Sequence, residues 1–210
     1  MGQKYASIHI YGGDQDKNLL LLKDFYNNDK SMDVIRKQAI SIFKNPEVQR
    51  MLERQTELAL PDILMVQSEA AVSVYDENIS FETIEDKAKA VSNIIDVPVV
   101  YTSNFDDDIF IFGIYRSGNL ITCKKVGEEL SEYDITPDNL EVDKFCSALT
   151  IKNMESIETI INSEEIDEIE EEIEKILRVP LKLGFDDIQY DYEQFTEIFI
   201  EDRVHAFKVG

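Results

Sequence analysis

Ala70-Ala71-Val72-Ser73-Val74-Tyr75, stopped by Asp76-Glu77-Asn78, and Val99-Val100-Tyr101-Thr102 are two apolar, β-branched runs with a helical pattern between them. Ser80 supplies an N-cap hydroxyl, and Ile84, Ala88, Val91 and Ile95 then recur at helical spacing from about Phe81 until Val97-Pro98 closes the helix. Strand, helix and strand in that order predict a β-α-β unit over 70–102 with a right-handed crossover.

On the C-terminal side, the acidic turn Asn104-Phe105-Asp106-Asp107-Asp108 leads into Ile109 to Tyr115, rich in β-branched and aromatic residues. Arg116-Ser117-Gly118-Asn119 then predicts a hairpin in which Leu120 to Val126 pairs back. Helical patterns follow over 137–149, 154–161 and 163–177, and Pro180 ends the series. Phe195 to Val209 alternates as a terminal strand that would rejoin the sheet. On the N-terminal side, Tyr5 to Tyr11 alternates Tyr5, Ser7, His9 and Tyr11 against Ala6, Ile8 and Ile10, the pattern of a half-buried strand closed by Gly12-Gly13-Asp14. Helices are expected from Ser31 to Asn45 and onward from Pro46, and a short strand over Ile63 to Val66.

The expected class is therefore mixed α+β (α/β): a β-α-β-β core sheet, partly antiparallel, flanked by helices in the N- and C-terminal parts. The organisation is either a helical lead over 1–60 followed by an acidic domain over 61–210, or one compact domain throughout. Hydrophobic residues at 43% and charged ones at 30% are the balance of a chain with a core rather than a disordered one.

The net charge of −22 is unevenly spread. Residues 1–60 hold nine Lys and Arg against eight Asp and Glu, leaving twelve basic and 35 acidic side chains for the rest. Such a surface repels nucleic acid and anionic membrane, and attracts basic proteins and divalent cations. No apolar run approaches the roughly 20 residues needed to cross a bilayer, and the start does not read as a secretory signal. Cys123 and Cys146 stand far apart without a CxxC, as two thiols of a reducing compartment do. A cytoplasmic location is expected.

Two places carry candidate chemistry. Asp76, Glu77, Asp106 and Asp108 fall at the edge where both strands of the predicted crossover end, and Asp106 and Asp108 would point the same way in extended chain. Hard oxygen ligands there suit Mg²⁺ or Ca²⁺, against the plainer reading of a solvated turn. From Glu155 to Glu174, ten acidic residues and no basic ones share two helices with Ile157, Ile160, Ile161, Ile166, Ile169, Ile173 and Ile176. The isoleucine spacing makes an inner stripe with the carboxylates facing out, so Glu164, Glu165, Glu168, Glu171 and Glu172 form a candidate partner-binding face. His9 and His205 are the only histidines, and no Ser-His-Asp or Cys-His set, phosphate loop or metalloprotease motif is present. No cofactor is expected.

The stretch Val72-Ser73-Val74-Tyr75-Asp76-Glu77, the helix with Ala90-Val91-Ser92, Pro98-Val99-Val100, Asp106-Asp107-Asp108-Ile109-Phe110 and Tyr115-Arg116-Ser117-Gly118-Asn119 resembles a loose group of uncharacterised bacterial proteins. That group carries a V-x-V-Y-D-E strand, a helix, and a D-x-D strand ending in Y-R-x-G. The resemblance covers about residues 70–122 and implies the β-α-β-β arrangement but no mechanism. The leading expectation is a non-enzymatic protein-interaction module, of the inhibitor or immunity kind, that binds a basic partner. The alternative is a divalent-metal-dependent enzyme or a small-ligand-binding protein using the Asp-rich sheet edge.

Overall fold

The computed structural model describes residues 4–28, 47, 50, 63–68, 70–76, 79–128, 130–151, 155–181 and 203–207. In chain order these form β1 (Lys4–Tyr11), α1 (Gln15–Asn28), β2 (Ile63–Gln67), β3 (Ala71–Asp76), α2 (Ile84–Ser92), β4 (Val99–Phe105), β5 (Ile109–Arg116) and β6 (Asn119–Val126). A 3-10 turn (Leu130–Tyr133), α3 (Val142–Leu149), α4 (Glu155–Asn162), α5 (Ile166–Leu177) and β7 (Arg203–Phe207) complete them. The class is mixed α+β, with one seven-stranded sheet in the order β6-β5-β4-β1-β3-β2-β7.

Every strand pair is antiparallel. β1 lies between β3 and β4, with Ser7 facing Tyr75 on one side and Thr102 on the other. β3 and β4 therefore run parallel to each other without touching, and the expected β-α-β unit is split by the N-terminal strand. Local pattern announces the two strands and the helix, but which strand lies between them is a pairing of residues about 65 and 95 positions apart, which periodicity does not encode.

Helices cover both faces. Ala6, Ile8, Ile10, Val72, Val74, Val99 and Tyr101 pack against Leu19, Leu22 and Tyr26 of α1 and against Ile84, Ala88 and Val91 of α2. On the other face, Phe110, Phe112 and Ile114 meet Phe145 and Leu149 of α3, Ile157 and Ile160 of α4, and Ile169, Ile173 and Leu177 of α5. The inner residues expected for α2 are buried, as are Ile157, Ile160, Ile169 and Ile173 of the isoleucine stripe, while Ile161, Ile166 and Ile176 are partly buried against the same core. β1 differs from the half-buried strand its alternation predicts, because both of its faces are covered. Its polar residues form a buried seam: His9 Nε2 is hydrogen-bonded with the Ser7 hydroxyl at 2.9 Å, His9 Nδ1 with that of Ser73 at 2.8 Å, and Ser7 with Thr102 at 2.8 Å. Such a closed set satisfies its own polar groups in a dry interior.

Helix boundaries follow local chemistry. α1, which the run Leu19-Leu20-Leu21-Leu22 masks as an unperiodic stretch, is started by Asp14, whose carboxylate accepts the Lys17 N–H at 3.0 Å. α2 begins one turn later than Phe81, because Ser80 and Thr83 are tied together first, the Ser80 N–H reaching Thr83 Oγ1 at 3.0 Å. α3 begins at Val142 rather than Pro137: Asp138 pairs by backbone with Lys125, and the Glu141 N–H reaches Thr122 Oγ1 at 2.7 Å, so 138–141 runs along the outer edge of β6. That segment shields an edge strand that would otherwise present open hydrogen-bonding groups. Two residues, Ser117 and Gly118, both at positive φ, turn β5 into β6. The terminal strand expected near the C-terminus is β7 on β2. The helices expected from Ser31 and from Pro46 lie outside the described residues, apart from the helical Glu47 and Arg50.

Candidate functional site

The two candidate clusters fare differently. Tyr75 and Thr102 are level with each other on either side of Ser7, so Asp76 falls level with Ser103. Asp106 is then three residues further along and two strands away, about 10 Å in each direction by sheet geometry. The insertion of β1 is what separates them. Asp76 is buried at the end of β3, Glu77 lies outside the described residues, and Asp106 pairs with Lys4 Nζ at 2.9 Å. Asp106 and Asp108 also do not point alike from extended chain, because Asp106 and Asp107 sit at φ 56° and 63° in a tight turn that the Asp108 N–H closes onto the Phe105 carbonyl at 3.1 Å. Among the described residues no three His, Cys, Asp or Glu side chains gather closely enough to hold a metal ion.

The acidic helices behave as the stripe predicts, with one exception. Glu164, Glu165, Glu168 and Glu171 are exposed, while Glu172 is partly covered and pairs with Lys175 Nζ at 2.6 Å. Glu170 turns inward and is fully buried. It stands four residues after Ile166 and three before Ile173, on the inner stripe, which is the signal in the sequence that the reading of outward carboxylates passed over. The Tyr5 hydroxyl donates to Glu170 Oε1, and Asn104 Nδ2 donates to the same oxygen at 2.8 Å. Burial, followed by the Glu170 charge, holds the Tyr5 phenol well above its ordinary range.

Where the 106–108 turn, the end of β6 and the α4–α5 connection meet, they enclose a groove of about 760 Å³. Asp107, Asp108, Glu128, Glu164, Glu165 and Asp167 line it. The sequence separates these carboxylates by up to 60 positions, and folding brings them to one concavity. Gly127 permits the approach: a Cβ there would lie 2.0 Å from the Asp108 carbonyl oxygen.

Two lysines also line the groove, and both are already engaged by groups of the protein. Lys124, 3% exposed, donates to the Ile161 carbonyl at 3.1 Å, where α4 ends and its carbonyls lack helical partners. Burial lowers its pKa. Lys125 Nζ is 2.5 Å from Glu85 Oε1 of α2. The groove therefore presents carboxylates to a visitor and gives it little positive charge to meet.

Two groups of the kind that catalysis favours, His9 and Cys123, are shut away. His9 is completely buried, and burial pushes its imidazole down to about 3, so it stays neutral between the hydroxyls of Ser7 and Ser73. Cys123 donates to Asp138 Oδ2 at 3.1 Å, and burial together with that carboxylate pushes its thiol up to about 12. A protonated, buried thiol is a poor nucleophile. Both cysteines are free. Among the described residues no helix is long and apolar enough to cross a membrane.

No protein-family model matches the chain, and neither a curated protein nor a solved structure does.

Proposed function

We propose that this protein is a non-enzymatic interaction module that binds a basic protein partner through the acidic groove and the adjoining outer face of α5. The observation that carries this reading is the convergence of Asp107 and Asp108 from the hairpin turn with Glu164, Glu165 and Asp167 from the α4–α5 connection in one concavity. A Lys or Arg of the partner entering there meets carboxylates on two walls, while the exposed Glu168 and Glu171 extend the field that steers it in. Inhibition of a basic protein is the natural use of such a surface.

A fluorescein-labelled lysine decamer tests the reading by anisotropy at about 20 mM salt, where exposed charges are poorly screened. Glu164→Lys should weaken binding by about tenfold, or ~1.4 kcal/mol. Asp96→Lys changes the overall charge equally at an exposed site before β4, at the opposite end of that strand from the groove, and should change binding far less. Equal losses would mean that the decamer responds to net charge alone, and the groove would be rejected as the binding site.

A further inference from the structure

The two acidic walls of the groove are joined through one buried amide. Asn104, 2% exposed near the end of β4, accepts the Asp107 N–H on Oδ1 at 3.1 Å. Its Nδ2 donates to Asp107 Oδ1 at 3.4 Å and to Glu170 Oε1 at 2.8 Å. The two carboxylates only accept, and the Asp107 N–H only donates, so this orientation of the amide is the one that satisfies all three. Asp107 belongs to the hairpin wall. Glu170 belongs to α5, whose preceding connection carries Glu164 and Glu165 on the other wall.

We infer that Asn104 is the positioning residue of the groove: by binding Asp107 and Glu170 at once, it holds the hairpin turn and the start of α5 at a fixed separation. This rests on the functional reading above only for what the groove binds; the mechanical coupling stands on the hydrogen bonds alone. No other uncharged side chain of similar size supplies two N–H donors and an acceptor on one short stem. An aspartate in its place sets a third carboxylate against two others. A serine keeps a hydroxyl but cannot reach both walls.

Amide hydrogen exchange on the 15N-labelled full chain tests the coupling, comparing wild type with Asn104→Asp and with Asn104→Ser. Loss of charge-assisted hydrogen bonds predicts roughly tenfold faster exchange at Asp107 and along the first turns of α5, with Ile8 and Ile10 in the sheet centre unchanged. Acceleration confined to the 106–108 turn, or uniform across sheet and helices in both variants, overturns the proposal. The lysine decamer supplies a second reading. Asn104→Asp adds negative charge, so charge alone would tighten binding, whereas a lost wall position weakens it by about tenfold. Unchanged or tighter binding overturns the role in recognition. Failure of the wild type to bind the decamer at all counts against the proposed function and leaves the exchange comparison to decide Asn104.

Discussion

His9 Nδ1 lies 2.8 Å from the Ser73 hydroxyl across the β1–β3 pair, inside a sheet whose two faces are both covered. The ring is neutral there because burial lowers its pKa from 6.5 to about 3. In the unfolded chain it takes up a proton below about pH 6.5. Between these values the unfolded state binds more protons, so stability rises with pH, and it is lost as pH falls from 6.5 toward 3.

The size of that loss, with the shift expressed in full, is about 5 kcal/mol. Urea unfolding at pH 7, 5.5 and 4.5 should therefore show a steeper decline for wild type than for His9→Gln, which lacks the titrating ring. The many carboxylates titrate in both proteins, so the difference between the two slopes is the quantity to read. Parallel slopes would show that the histidine is not held neutral.

The excess of negative charge predicts a response to salt. Ten acidic residues lie between Glu155 and Glu174 with no basic residue among them, and most face water. Their mutual repulsion falls as the Debye length shrinks from about 30 Å at 0.01 M to about 4–5 Å at 0.5 M. Raising sodium chloride over that range should stabilise the protein by about 1–2 kcal/mol, a rise of roughly 2–8 °C in the thermal midpoint. Glu168→Lys with Glu171→Lys should gain stability at low salt and lose much of the dependence. A midpoint insensitive to salt would show that this face carries little repulsive strain.

Tyr101 and Gly113 make a prediction of opposite sign. They are cross-strand partners, and a Cβ at Gly113 would fall 2.4 Å from the Tyr101 hydroxyl oxygen and 2.5 Å from its ring. That hydroxyl is completely buried and has no hydrogen-bond partner among the described residues. Removing an unsatisfied buried group is favourable, so Tyr101→Phe should stabilise by about 1 kcal/mol. Gly113→Ala overpacks the same contact and should cost about 1–3 kcal/mol. Combining Gly113→Ala with Tyr101→Ala should recover part of that cost, a coupling read by a double-mutant cycle in denaturant. Additive effects would mean that the ring and the glycine do not share one space.

What could be seen in the sequence was local. Ile84, Ala88, Val91 and Ile95, the isoleucines of α4 and α5, and the hairpin at Ser117-Gly118 each announce themselves within a few residues, and each is where its pattern puts it. What could not be seen depends on residues far apart. The slot that β1 occupies between β3 and β4 is such a case, and it is also why Asp76 and Asp106 do not share a site. The groove was half legible: the acidic helix and the Asp turn each stood out, but their meeting needs the whole sheet and the inward turn of Glu170.

Lys124 and Lys125 are adjacent in sequence, point to opposite faces of β6, and should differ sharply in what they contribute. Lys125 makes an ion pair with Glu85 in which both side chains remain partly exposed, at 21% and 30%. Solvent screens such a pair, so Lys125→Met should cost less than about 1 kcal/mol. Lys124 is enclosed, and its ammonium satisfies the Ile161 carbonyl at the end of α4, where the positive charge also meets the negative end of the helix dipole. Lys124→Met leaves that carbonyl without its donor and should cost about 1–3 kcal/mol, with the last turn of α4 exchanging its amides faster. Equal effects for the two substitutions would mean that Lys124 acts as one more surface charge and that the end of α4 is held by packing alone.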